Sequence, residues 1–84
     1  MLSFFYYNYK SRTKLFIFKT DIETKNKVKT IKSFLDSHPY IIKWSIDVEH
    51  TDNVLKIEAR NNLSKNDIIS QIKTQGFYCS LLTD

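Results

Sequence analysis

The sharpest pattern in the chain is an alternation. Ile42, Trp44, Ile46 and Val48 are apolar, and Lys43, Ser45, Asp47 and Glu49 between them are polar. A period of two puts one set on a buried face and the other in solvent. His50, Thr51, Asp52 and Asn53 form a polar turn, after which Leu55, Ile57 and Ala59 alternate with Lys56, Glu58 and Arg60. The two runs predict a hairpin with a charged outer face. Upstream, residues 14–19 (KLFIFK) form a short apolar run bounded by charge. It predicts a first strand, with Leu15 and Ile17 on one side and Phe16 and Phe18 on the other.

Two further stretches have a helical period. Val28, Ile31 and Leu35, with Phe34 beside them, recur at spacings of three and four. One apolar stripe follows, on a helix over residues 24–37. Thr20 with Glu23, or Thr24 itself, can satisfy its first amides. The residue before Pro39 resists helical geometry, which ends the helix near His38. A second helix over residues 64–75 buries Ile68, Ile69 and Ile72. Ser64 and Asp67 have capping-box spacing, and Gly76 suits the left-handed position that closes a helix. Residues 77–82 supply the last strand.

The order is β-α-β-β-α-β. Only one face of the hairpin is apolar, so both helices must share it. With right-handed crossovers this is an α+β fold, a ferredoxin-like βαββαβ sandwich. Its four-stranded antiparallel sheet has the order 4-1-3-2.

Composition narrows the class. Eighty-four residues allow one domain with one small core, burying roughly 60% of the extended-chain surface. Residues 14–84 hold the domain pattern, and residues 1–13 form an extension rich in Phe4, Phe5, Tyr6, Tyr7 and Tyr9, followed by Lys10 and Arg12. That extension reads as an arm that docks a partner or stacks on bases, as an extra strand, or as a tail. The start has no basic segment before its aromatics and no small-residue cleavage site, so it makes a poor signal peptide. With no apolar run of spanning length, a cytoplasmic protein is the expectation. One cysteine leaves no internal disulfide and no multi-cysteine metal site. An exposed second-strand edge, or the arm, is where a homodimer would form.

From Asp21 onward the chain resembles the heavy-metal-associated domain of copper chaperones and metal-pumping ATPases. The family motif is a Gly-Met-Thr-Cys-x-x-Cys loop before the first helix, then Leu-Pro-Gly-Val, with a late Gly-Tyr opening the last strand. Here the loop reads Asp21-Ile22-Glu23-Thr24-Lys25-Asn26-Lys27, the exit His38-Pro39-Tyr40-Ile41, and the late pair Gly76-Phe77. The likeness covers roughly 65 residues, mostly as fold-level pattern, which many functions share. Both cysteine positions are replaced, by Thr24 and Lys27. The family binds soft Cu(I) through two thiolates, whereas a threonine hydroxyl is a weak ligand and an ammonium repels a cation. Ile22 keeps the apolar anchor that methionine provides in the family. The resemblance therefore implies a degenerate member without family-type metal binding.

Asp21, Glu23 and Cys79 are the alternative ligands for a weak or altered Cu or Zn site at this loop, the second functional reading. His50 lies at the far edge of the predicted sheet, about 14 Å and three strand spacings from Cys79. It can neither share an ion with that thiol nor form a Cys–His dyad with it. Cys79 stands where the family usually has alanine, which reads as a buried inert thiol. His38 and His50 read as exposed turn residues. Asp47, Glu49 and Asp52 lack calcium-loop spacing.

Charge is uneven. Residues 1–40 carry eight Lys/Arg against three Asp/Glu, and residues 41–84 carry five against six, so +5 faces −1. The basic half holds the first helix, with Lys25, Lys27, Lys29 and Lys32. Lysines near a helix N-terminus oppose the macrodipole by about 0.3–1 kcal/mol each, and Lys25 and Lys29 are a like-charged i,i+4 pair. A cost without structural return points to binding. Family members dock acidic target domains through basic helix faces, so the leading expectation is a non-enzymatic module that binds an acidic protein surface. RNA-recognition motifs share the strand order, but they read bases with aromatics on the open face of strands one and three. Strand three offers Lys56, Glu58 and Arg60 there, which argues against nucleic acid. No phosphate-cradling glycine loop, no carboxylate pair at a cleft and no arginine loop of the acylphosphatase kind marks an enzyme.

Overall fold

The computed structural model describes residues 13–82, so the extension expected over residues 1–13 lies, apart from Thr13, outside the described residues. Its elements are β1 (Thr13–Thr20), α1 (Lys25–Ser37), β2 (Ile41–Asp47), β3 (Val54–Arg60), α2 (Lys65–Thr74) and β4 (Cys79–Leu81). The sheet order is β2-β3-β1-β4, with every neighbouring pair antiparallel. The molecule is a ferredoxin-like α+β sandwich, with the predicted strand order read from its opposite edge.

Both helices share one face of the sheet because the core needs both. Ile31 and Leu35 of α1 and Ile68 and Ile72 of α2 join Phe18, Leu55, Ile57 and Ala59 in one buried cluster. Phe16 and Phe18, two residues apart on β1, face the same core with ring centroids 5.9 Å apart. Leu15, on the other face, is 65% exposed. The alternation expected for β3 holds from Leu55 on, with Leu55, Ile57 and Ala59 buried and Lys56 and Arg60 in solvent, but Glu58 is only partly exposed and Val54, at the start of the strand, is buried too.

Strand β2 departs from the expected register. The pairing with β3 is interrupted between Ile41 and Lys43. Such a bulge adds one residue to one strand and turns side chains across the sheet. Ile41 therefore packs against the core while Ile42, expected inside, is 49% exposed. Past the bulge Trp44 and Ile46 face inward as predicted. Val48 lies in the turn, not in the strand. The last strand is also shorter than residues 77–82: Phe77 and Tyr78 precede it, and Leu82 N–H donates to Ile17 O beyond it.

The helix ends follow their side chains. Thr24 is the N-cap of α1, its hydroxyl accepting from Lys27 N–H at 3.2 Å. Thr20, the other candidate, is buried and donates to Asn53 O at 2.7 Å, so it ties β1 to the hairpin turn and not to the helix. In α2, Ser64 and Asp67 form both bonds of the capping box. Gly76 follows at φ 98°, where a side chain would be strained.

Candidate functional site

The sheet order gathers one end of the molecule around the loop between β1 and α1. Thr20 pairs with Cys79, and Thr20 N–H donates to Asp52 O at 3.1 Å. Asp21 Oδ1 accepts from Tyr78 N–H at 2.9 Å. The loop, the hairpin turn and the entry to β4 are thus stitched together, as the strand order required. Ile22 is fully buried in the core and anchors the loop from below, with its amide donating to Thr20 Oγ1.

Each candidate ligand at this end has another task. The Asp21 carboxylate holds the backbone of Tyr78. Glu23 accepts from Lys27 Nζ at 2.8 Å, and the same ammonium reaches Asp21 O at 3.4 Å. The hydrogen bond to Glu23 raises the Lys27 pKa. Thr24 caps the helix. Cys79 is 1% exposed, and burial pushes its thiol up to about 12, with the Lys73 charge opposing. A thiol so placed stays protonated at neutral pH, whereas a soft metal takes the thiolate. Among the described residues no three His, Cys, Asp or Glu side chains lie close enough to hold an ion. The structure brings Asp21 and Cys79 to one end but does not assemble them into a donor set.

The histidines are structural. His38 is half-buried: Nδ1 accepts from Tyr40 N–H at 3.1 Å, which leaves Nε2 to donate to Gln71 Oε1 at 2.8 Å. It pins the end of α1 to α2, a role that its turn position did not disclose. Phe34 meets its ring edge-on at 5.7 Å. His50 is exposed as expected and accepts from Asp52 N–H.

The lysines of α1 divide into two kinds. Lys27 is held by Glu23, and Lys32 lies 2.7 Å from Asp36. Asp36 also accepts from Trp44 Nε1–H at 2.8 Å, and bonds from Lys32 and Trp44 hold its carboxyl below the usual range. Sequence reasoning missed this bridge between α1 and β2. The signal was present: Trp44 needs a partner for its N–H when it is half-buried. Lys25 and Lys29 are exposed and have no carboxylate partner among the described residues. No acidic residue lies in the first turn of α1. The N-terminal half of the helix therefore presents two unneutralised cations on one stripe, beside a macrodipole of the same sign.

Among the described residues no helix is long and apolar enough to cross a membrane. No protein-family model, no curated protein and no solved structure matches this chain.

Proposed function

We propose that this domain is a small non-enzymatic binding module of heavy-metal-associated type, in which docking of an acidic protein surface has replaced capture of a metal ion. Lys25 and Lys29 of α1 form the centre of the docking face, and Lys27 and Lys32 flank it. The observation that carries the reading is the division among these four lysines. Two are neutralised by carboxylates of the loop and helix. Lys25 and Lys29 have no such partner among the described residues, at the helix end where a cation is least favoured. Support for the family reading comes from the buried Ile22 anchor and the left-handed Gly76 before Phe77.

The test is an amide NMR titration of the whole chain with an Asp/Glu-rich peptide. Shifts should be confined to α1 and its preceding loop, and should weaken as ionic strength rises, because exposed charges are screened over about 10 Å at 0.1 M salt. Lys25→Glu with Lys29→Glu should remove them. Undiminished binding by that double variant rejects the docking face. Cu(I) or Zn(II) added to the reduced protein should leave residues 21–29 unmoved; saturable shifts there and around Cys79 would restore the metal reading.

A further inference from the structure

Strand β2 is an edge of the sheet, and among the described residues nothing pairs with its outer side. Such an edge offers a row of N–H and C=O groups to another strand. Its regular stretch is bounded at both ends. The bulge between Ile41 and Lys43 marks one end, and the turn after Asp47 marks the other. Lys43 to Asp47 remain, with Ser45 at their centre. Lys43, Ser45 and Asp47 are exposed, while Trp44 and Ile46 turn toward the core. Those two are nevertheless only half-buried, because the edge leaves their flank open.

We propose that two copies of this chain join their β2 strands antiparallel about a two-fold axis at Ser45, so that one sheet continues through both molecules. Charge selects this occupant. About that axis Lys43 stands opposite Asp47 of the second copy, and Asp47 opposite the second copy's Lys43. Ser45 meets its own equivalent, and on the other face Trp44 meets Ile46 of the second copy. Opposite charges, paired hydroxyls and an aromatic beside a β-branched side chain are all favourable cross-strand neighbours. The strand is thus complementary to itself, as a two-fold interface requires. A lysine on an edge strand commonly wards off other chains. Here the strand itself carries the answering carboxylate at the symmetric position.

Both charges are available. Among the described residues Lys43 forms no ion pair, not even with Glu58 opposite it on β3. Asp47 Oδ1 accepts from the N–H groups of Glu49 and His50, which leaves Oδ2 for an ammonium. The register is narrow as well. A slip by one residue sets Ser45 against an inward-facing side chain, because side chains alternate with period two. A slip by two brings in Ile41 from across the bulge or Glu49 from the turn. Two such short strands make a small joint against the roughly 1,600 Å² of a standard stable interface, so association is weak and depends on concentration.

The experiment uses the full chain. Sedimentation equilibrium should show the mean mass rising from monomer toward dimer with concentration. Lys43→Glu puts like charges opposite each other twice and should weaken the dimer about tenfold or more. Lys43 is exposed, so the amide spectrum of that variant should keep the native fold. Mild oxidation of Ser45→Cys should give a disulfide-linked dimer, since opposite Cα atoms of an antiparallel pair, about 4.5–5.5 Å apart, lie within disulfide range. Cys79 is 1% exposed and does not compete. Ser70→Cys, exposed on α2 away from the joint, should stay largely monomeric under the same oxidation. A protein that is monomeric at every concentration overturns the proposal. So does a dimer that Lys43→Glu leaves equally strong, or cross-linking of Ser45→Cys no faster than that of Ser70→Cys.

Discussion

Cys79 shows how far one side chain's chemistry is set by its surroundings. As a lone thiol on the last strand it could have been a ligand, a nucleophile or filler. Its place opposite Thr20, at 1% exposure, makes it filler. Burial disfavours the thiolate and raises the folded-state pKa to about 12. The linkage sign follows. A group whose folded pKa is raised contributes stability in full below its unfolded pKa, and that contribution is lost as pH climbs toward the folded value. For Cys79 the window runs from the ordinary thiol pKa of about 8.5 up to about 12. At a mildly alkaline pH the native protein should react with a disulfide reagent orders of magnitude more slowly than the urea-unfolded chain, because the thiolate is the reacting form. Rapid stoichiometric labelling of the native protein would mean the thiol is accessible.

At the scale of the element, α1 carries opposing designs. Its apolar stripe and its Thr24 cap favour the helix, while Lys25 and the absence of an acidic first turn oppose it. Lys25→Glu converts an unfavourable end charge into a favourable one, and it turns the repulsive i,i+4 pair with Lys29 into an attractive one. Each step is worth a few tenths of a kcal/mol to 1 kcal/mol, so the variant should gain about 1 kcal/mol. A urea-unfolding midpoint that rises with unchanged slope is the expected result. A gain in stability together with weaker capture of an acidic peptide would separate function from folding at one residue, because a purely structural lysine would not cost binding when removed. A lower midpoint would contradict the end-charge argument for Lys25.

Across the whole molecule, stability should follow the sheet order. β1 and β3 are the central strands, with six paired positions between them, and β4 adds only three. Local opening samples the least-connected elements first, and central strands exchange only through global unfolding. Amide exchange should therefore be slowest at Phe16, Phe18, Leu55 and Ile57. Leu81 and the bulged start of β2 should exchange roughly tenfold faster or more. Equal protection across all four strands would contradict this hierarchy. The turn residue Asn53, at φ 46°, belongs to the same network, since it receives the Thr20 hydroxyl while closing the hairpin.

The sequence by itself determined the order of elements, the strand order and most of the core. The elements and the core rest on local periods, two for β3 and three and four for α1 and α2, with cap residues within one turn of their targets, and the strand order rests on the handedness of the crossovers. It also determined that the loop before α1 holds no cysteine, since residue types are read directly. Tertiary structure alone decided what depends on neighbours distant in the chain. The bulge that exposes Ile42 is a mismatch between two strands, invisible in either one. Asp36 met Trp44, and His38 met Gln71, because α1 packs on the sheet beside α2. The division of the lysines was half legible: the i,i+4 spacing to Glu23 and Asp36 is in the sequence. Which of those pairs closes depends on side-chain geometry at the helix surface, and so does which cations are left for a partner.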